Sequence, residues 1–252
     1  MGISWLRAFA AGVLAAGFAL PAVAEEPGCR IPDGFFADEP VLGATPVALA
    51  RGQRVEMVAL GGASTAGHAA GKPDLAWPAR LAAALSARFP AASVTVANGG
   101  VARQTAAEMR GRLERDAIAP RPMLVVWETG TSDAVRGVDP EILRASVQDG
   151  IDRLRAAGIE VVLMDMQFSR RSAAIIGFDR YLAVLRDLAD ANDVPLFHRY
   201  DLMREWGESG VLDLDVRGRG RRRALAVRLY DCIGNALADL IAQGAPRPKA
   251  GN

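Results

Sequence analysis

The chain has 252 residues, 50% of them hydrophobic, and a formal net charge of +1. That length and apolar content suit one sizeable α/β domain and hardly two. A charge this close to neutral gives no global field for nucleic acid or for an anionic membrane, so local clusters are judged separately.

The first 24 residues read as a leader outside the fold. Arg7 is the only charged side chain before an apolar run from Ala8 to Leu20, and Ala22-Val23-Ala24 precedes Glu25-Glu26. A short basic start, an apolar stretch and an A-x-A site have the layout of a secretory signal peptide. The run is shorter than the ~20 residues of a spanning helix. The expectation is export to a bacterial periplasm or medium, with no membrane span. Cys29 and Cys232 are the two cysteines. In an oxidising compartment they are expected to form one disulfide, the alternative being two buried thiols.

Residues 25–52 carry Pro27, Gly28, Pro32, Gly34, Pro40, Gly43 and Pro46, a density of breakers that predicts an extended arm. The domain proper is expected over residues 53–243, with a tail at 244–252. Its first strand is predicted from Arg54 to Leu60, and a helix from Trp77 to Phe89 with Trp77, Leu81, Ala84, Leu85 and Phe89 on one face. Ser93 to Ala97 is the second strand, and Thr105 to Ala117 the next helix. Met123 to Trp127 is a continuous apolar strand, as expected of a parallel strand buried on both faces. Asp139 and Pro140 start a helix to about Ala157, as N-cap and first residue. Ile159 to Met164 is the fourth strand, Ile175 to Ala191 a helix, Val194 to Phe197 a short fifth strand, and Arg221 to Ala242 the terminal helix. About five β-α repeats predict a mostly parallel sheet with helices on both faces.

Four strand exits carry small or polar residues: Gly62-Ala63-Ser64, Asn98-Gly99-Gly100, Gly130-Thr131-Ser132-Asp133 and Asp165-Met166-Gln167. A parallel sheet brings them to one edge, where open α/β sheets place ligands. Ser64 on a strand-to-helix turn is either a nucleophile or a helix N-cap. An acyl-transfer site also needs a base and donors for an oxyanion. The backbone N–H groups of Ser64 and Gly100 are candidate donors.

These blocks resemble the SGNH (GDSL-like) hydrolases. Gly62-Ala63-Ser64 is similar to the family's Gly-Asp-Ser block, Gly100 to its second-block glycine, and Gly130-Thr131-Ser132-Asp133 to its Gly-x-Asn-Asp block. The resemblance runs from Val55 to Ile241. It implies a three-layer α/β/α, flavodoxin-like fold with a mostly parallel five-stranded sheet. It also implies a serine ester hydrolase, an esterase or O-acetyl hydrolase or transferase on an envelope or carbohydrate substrate, with Ser64 as nucleophile and Gly100 and Ser132 at the oxyanion. Ala63 replaces the family's aspartate, and Ser132 replaces its asparagine. The family's Asp-x-x-His pair is missing: Asp213 and Asp215 are followed by Val216 and Gly218, and no histidine lies downstream.

The two histidines are His68 and His198. His198 follows the fifth strand and is the candidate relocated base, the alternative being a structural histidine; His68 is the weaker candidate. Asp213 or Asp215 would be a poor base for a serine at neutral pH. Asp133 is expected to hold the third-block turn, Gln167 to border a cleft by position, and Trp127 and Phe168 to serve as core or wall. Arg217, Arg219 and Arg221 to Arg223 form either a solvated run or a rim for an acidic glycan or phosphate. No residue cluster points to a metal or a cofactor. A small-molecule or glycan ester is the expected partner, and nucleic acid is not. A catalytically degenerate binding module is the alternative function.

Overall fold

A computed structural model describes residues 28–246. The expected signal peptide, residues 1–24, lies outside the described residues, as does most of the expected tail.

Five parallel strands form one sheet in the order β2-β1-β3-β4-β5. They are β1 (Arg54–Gly61), β2 (Ser93–Gly100), β3 (Leu124–Glu128), β4 (Glu160–Met164) and β5 (Leu196–Phe197). The three central strands are apolar along nearly their whole length because helices cover both faces. Every residue of β3 is buried. β2 is an edge strand, and its side chains are exposed or half-buried.

One helical layer pairs α2 (Trp77–Arg88) with the long terminal α9 (Arg219–Ile241). The other packs α5 (Pro140–Ala156) between α3 (Ala106–Gly111) and α7 (Asp179–Asn192). Asp139 caps α5 by accepting the Glu141 N–H at 2.9 Å, with Pro140 in the first turn. Gly150 lets α5 approach the sheet closely: a Cβ there would lie 2.2 Å from the Trp127 ring.

The order 2-1-3-4-5 makes the chain run outward in both directions from the β1/β3 pair. The carboxyl ends of those two strands therefore flank a topological switch point, where a crevice opens. Register brings Leu60 beside Trp127, so the exits of β1 and β3 emerge side by side.

Several expectations need correction. β2 continues through Asn98-Gly99-Gly100, so this pair of glycines is strand rather than exit loop. The helix expected over Thr105–Ala117 is broken: α3 ends at Gly111 and a π-helical turn covers Glu114–Ile118. The segment after Ser64 is a series of turns, not a helix. Short helices α1 (Thr45–Ala50), α4 (Thr131–Arg136) and α6 (Arg170–Ala173), and the ten-residue α8 (Arg199–Glu208), were not predicted. The stretch 25–52 is thus not extended throughout. Its α1 starts where the Glu160 carboxylate accepts the N–H groups of Gly43, Ala44 and Thr45 at 2.7–2.8 Å.

Cys29 and Cys232 form a disulfide across a sequence separation of 203. It ties the N-terminal segment to α9, and the Trp206 Nε1–H donating to the Arg30 carbonyl at 3.0 Å adds a second tie. In the chain-entropy description a closed loop this long contributes about 5 kcal/mol. Urea unfolding of a Cys29→Ser/Cys232→Ser variant is expected to show a loss of roughly 2–5 kcal/mol. An unchanged midpoint would show that the bridge carries no stability.

Candidate active site

β1 ends at Gly61, and the chain turns at once to place Ser64 beside the end of β3. The turn is tight. A Cβ at Gly61 would lie 2.1 Å from Thr65 Oγ1 and 2.9 Å from Glu128 Cβ, so only glycine lets the two strand ends approach this closely. The other side of the turn rests on β2. Asn98 Nδ2 donates to the Thr65 carbonyl at 2.7 Å.

Ser64 is buried, and its hydroxyl is held from both sides. Its O–H donates to Glu128 Oε2 at 2.7 Å, and Arg199 Nη1–H donates to its oxygen at 2.9 Å. Arg199 Nη2 lies 3.1 Å from Glu128 Oε1, which closes a three-membered set of serine, glutamate and arginine. The Thr65 hydroxyl donates to the same Glu128 Oε2. Glu128 and Arg199 are 4% and 1% exposed, so this is a buried ion pair and not a surface one.

The charges follow from that burial. Desolvation alone would push the Glu128 carboxyl up. The Arg199 charge, with the Thr65 and Ser64 hydroxyls, outweighs it and holds Glu128 below the ordinary carboxylate range. Glu128 is therefore ionised at neutral pH. Burial and the Glu128 charge together push the Tyr230 phenol of α9 up to about 12.

A cleft of about 310 Å³ opens above this set. Ser64, Glu128, Thr129, Thr131 and Ser132 line it, with Met109 and Val135 among its apolar walls and Arg103, Gln104, Arg136 and Gln167 among its polar ones. The structure thus brings Ser64 and Ser132 into one cavity. Gln167 borders it as position suggested.

Other sequence-derived candidates lie elsewhere. Gly100 is not among the cleft-lining residues. Its N–H donates to Asn98 Oδ1 at 2.9 Å, and a Cβ there would lie 2.2 Å from the Ala66 nitrogen. The space its missing side chain provides is filled by the chain's own turn, not by substrate. His198 is also not joined to Ser64. Its Nε2 sits 2.7 Å from Glu39 Oε1 in the N-terminal segment, and Glu39 also accepts the Leu196 N–H at 2.6 Å. Burial works against a charged His198 ring, and the Glu39 carboxylate outweighs it, so the imidazole pKa is raised. His68 is exposed.

Asp133 is buried, and its carboxylate accepts the Ala106 N–H at 3.1–3.2 Å, which fastens α4 to the start of α3. Trp127 is fully buried, and Phe168 packs edge-on against Tyr200. Among the described residues no group of three or more His, Cys, Asp or Glu is placed to hold a metal ion.

Glu128 and Arg199 are what the sequence reading missed. A usable signal existed for Glu128, an acid ending an otherwise apolar strand beside the Ser64 exit. Arg199 had none beyond its place after β5.

Residues 28–247 match the non-GDSL lipase-like family, and the chain belongs to it. An arylesterase from Vibrio mimicus is 29% identical over 94 residues. That stretch is 37% of this chain and 46% of the arylesterase, so less than half of that relative's length is matched. A G-D-S-L family lipolytic protein from Desulfitobacterium hafniense DCB-2 superposes with a TM-score of 0.56 at 17% identity, over 74% of this chain and 99% of that one. A catalytic mutant of an acetylxylan esterase from Geobacillus stearothermophilus gives 0.61 at 16% identity, over 74% and 94%. At these identities the likeness is one of fold, the SGNH-type α/β sheet.

Two stability measurements check the buried charges. Arg199→Met strands Glu128 without its counter-charge, and is expected to cost about 3–5 kcal/mol in urea unfolding. Adding Glu128→Gln to it should recover part of that loss; no recovery would mean that Arg199 acts through packing alone. The second concerns Asp165, whose carboxyl burial pushes up to about 7, against the Tyr200 N–H and the His198 and Arg199 charges. The unfolded group titrates near pH ~3.9. The folded protein therefore holds an extra proton between about pH 4 and 7, and stability falls as pH rises through that window. Asp165→Asn should flatten this part of the profile, leaving the variant more stable than wild type at pH 8. Parallel profiles would contradict the assignment.

Proposed function

We propose that this chain is an exported serine hydrolase that cleaves an ester, with Ser64 as nucleophile and Glu128 as the group that takes its proton. The observation carrying this reading is the Ser64 hydroxyl, buried at the floor of the cleft with its proton aimed at a carboxylate 2.7 Å away. Membership of a lipase-like family supports the reaction class. The sequence motif of a leader and the Cys29–Cys232 bridge support export. Carbohydrate or envelope esters are favoured as substrates by the fold shared with an acetylxylan esterase.

In this mechanism Ser64 Oγ attacks the acyl carbon as its proton passes to Glu128 Oε2. The alcohol leaves with that proton, and an acyl-serine remains. Water then attacks the acyl-serine, giving its proton to Glu128, which passes it to the departing Ser64 Oγ, so the acid and the free serine are released with Glu128 ionised again. Arg199 stays charged, paired with Glu128 whenever that carboxyl is ionised, and its Nη1–H stabilises negative charge developing on Oγ. The Ser64 amide, which has no protein acceptor among the described residues, and the Ser132 hydroxyl supply the oxyanion donors.

The same ion pair that orders the serine weakens the base. A carboxylate held below its ordinary range is a poor match for a hydroxyl proton, so turnover is expected to be slower than with an imidazole base. That observation favours the second reading, a module that keeps the cleft for binding an acylated ligand without turning it over.

Hydrolysis of short-chain aryl esters separates the two. Ser64→Ala is expected to abolish turnover, and Glu128→Gln to lower kcat by about 10²-fold or more. The wild-type rate should hold from pH 7 down to pH 5, because Glu128 stays ionised there; an imidazole base would lose its activity near pH ~6.5. Turnover unaffected by Ser64→Ala, or an acid limb near pH 6.5, would overturn the mechanism. No turnover at all would leave the binding module.

A further inference from the structure

The N-terminus of α9 carries a charge pattern that fold stability does not explain. Between residues 213 and 223 the chain has five arginines against two aspartates. Arg217, Arg219, Arg221 and Arg222 are exposed, and none has an acidic side-chain partner among the described residues. Only Arg223 is spoken for: its Nε–H donates to the Ala70 carbonyl at 3.0 Å. No acidic residue occupies the first turn of α9. Cations there oppose the helix dipole and repel one another, which disfavours the helix. Four exposed arginines that oppose the helix dipole and have no acidic partner among the described residues present a concentrated positive field to something outside the chain.

The stretch is tied to the segments that follow two cleft-lining residues, Ser64 and Gln167. Arg223 is bonded to the turn segment that begins with Ser64, and its guanidinium carbon sits 3.3 Å from where a Cβ on Gly71 would lie. On the other side Asp215 pairs with Arg170 at 3.8 Å, and Arg170 lies three residues beyond the cleft residue Gln167. Arg171 next to it is exposed and adds to the same field.

The composition of the patch selects the partner. Guanidinium groups pair with carboxylates and phosphates alike in a bidentate fork, so the surroundings of the patch decide between them. The segment from Arg217 to Arg223 has no apolar or aromatic side chain. A bilayer surface is bound through buried apolar area as well as charge, and single-stranded nucleic acid through stacking aromatics, so both are disfavoured. We propose that this surface docks an acidic polysaccharide, a glycan chain bearing repeated carboxylates, and so brings its ester groups to the cleft. The role of the ester groups rests on the hydrolase reading; the docking itself does not.

The test is equilibrium binding of the full mature chain to polygalacturonate at ~0.15 M salt, where exposed charges more than about 8 Å apart are screened. Single-stranded oligothymidylate and vesicles of equal phosphatidylglycerol and phosphatidylcholine serve as the other ligands. Wild type is expected to bind polygalacturonate in preference to both. A variant with Arg217, Arg219, Arg221 and Arg222 all changed to Gln should bind it at least about tenfold more weakly. Its unfolding midpoint should not fall, and its turnover of a small neutral aryl ester should be unchanged. Undiminished binding by the variant, no binding by wild type, or tighter binding to the oligonucleotide or the vesicles would each overturn the proposal. If wild type binds as expected but turns over no ester, the hydrolase reading fails and the docking surface stands.

Discussion

The buried ion pair between Arg199 and Glu128 is the constraint on which the site depends. Two charges this far from water carry a desolvation cost that their attraction repays only in good geometry with further hydrogen bonds. Here those bonds come from Ser64 and Thr65, so the serine hydroxyl is one of the groups that make the pair tolerable. The dependence runs both ways: the pair fixes the hydroxyl's orientation, and the hydroxyl helps satisfy the pair. A serine placed like this is rigid before any ligand arrives, which is the preorganisation that electrostatic catalysis needs. It is also bound to an anion that Arg199 keeps weakly basic.

The fold delivers these three side chains from three separate segments. Ser64 follows β1, Glu128 ends β3, and Arg199 opens α8 just after β5. Close backbone approach makes the meeting feasible. Gly61 brings the β1 exit onto Glu128, and Gly100 lets the Ser64 turn settle onto β2 with Asn98 as its tether. Outside this centre, Asp133 fixes the wall of the cleft, while His198 and Glu39 hold the N-terminal segment against the end of β5. The histidine is thus used to attach a segment, and the position at the serine is taken by an arginine.

The sheet was legible because its signals are local. Met123 to Trp127 is an unbroken apolar run, and a strand buried on both faces needs one. Asp139-Pro140 marked the start of α5 for an equally local reason, the capping of free N–H groups. Helix α8 was missed because Arg-Tyr-Asp-Leu-Met-Arg-Glu-Trp mixes charge into every turn, and its apolar face is short. The site was less legible than the fold. Asn98-Gly99-Gly100 reads the same whether its open space faces a ligand or the chain's own turn, and only tertiary structure distinguishes the two. Arg199 reads as one more solvated arginine, since this residue type is rarely buried unless paired, and its partner lies 71 positions upstream. Glu128 was visible as the boundary of a strand, but its charge acquires meaning only from the arginine.

The central claim is that Glu128 activates Ser64, and the rate of covalent labelling of Ser64 by a fluorophosphonate reads that activation without needing the natural substrate. At pH 7 the wild-type chain is predicted to label at Ser64, and Glu128→Gln to label at least about tenfold more slowly. His198→Ala should label at the wild-type rate. Equal rates in wild type and Glu128→Gln, or loss of labelling in His198→Ala, would contradict the account.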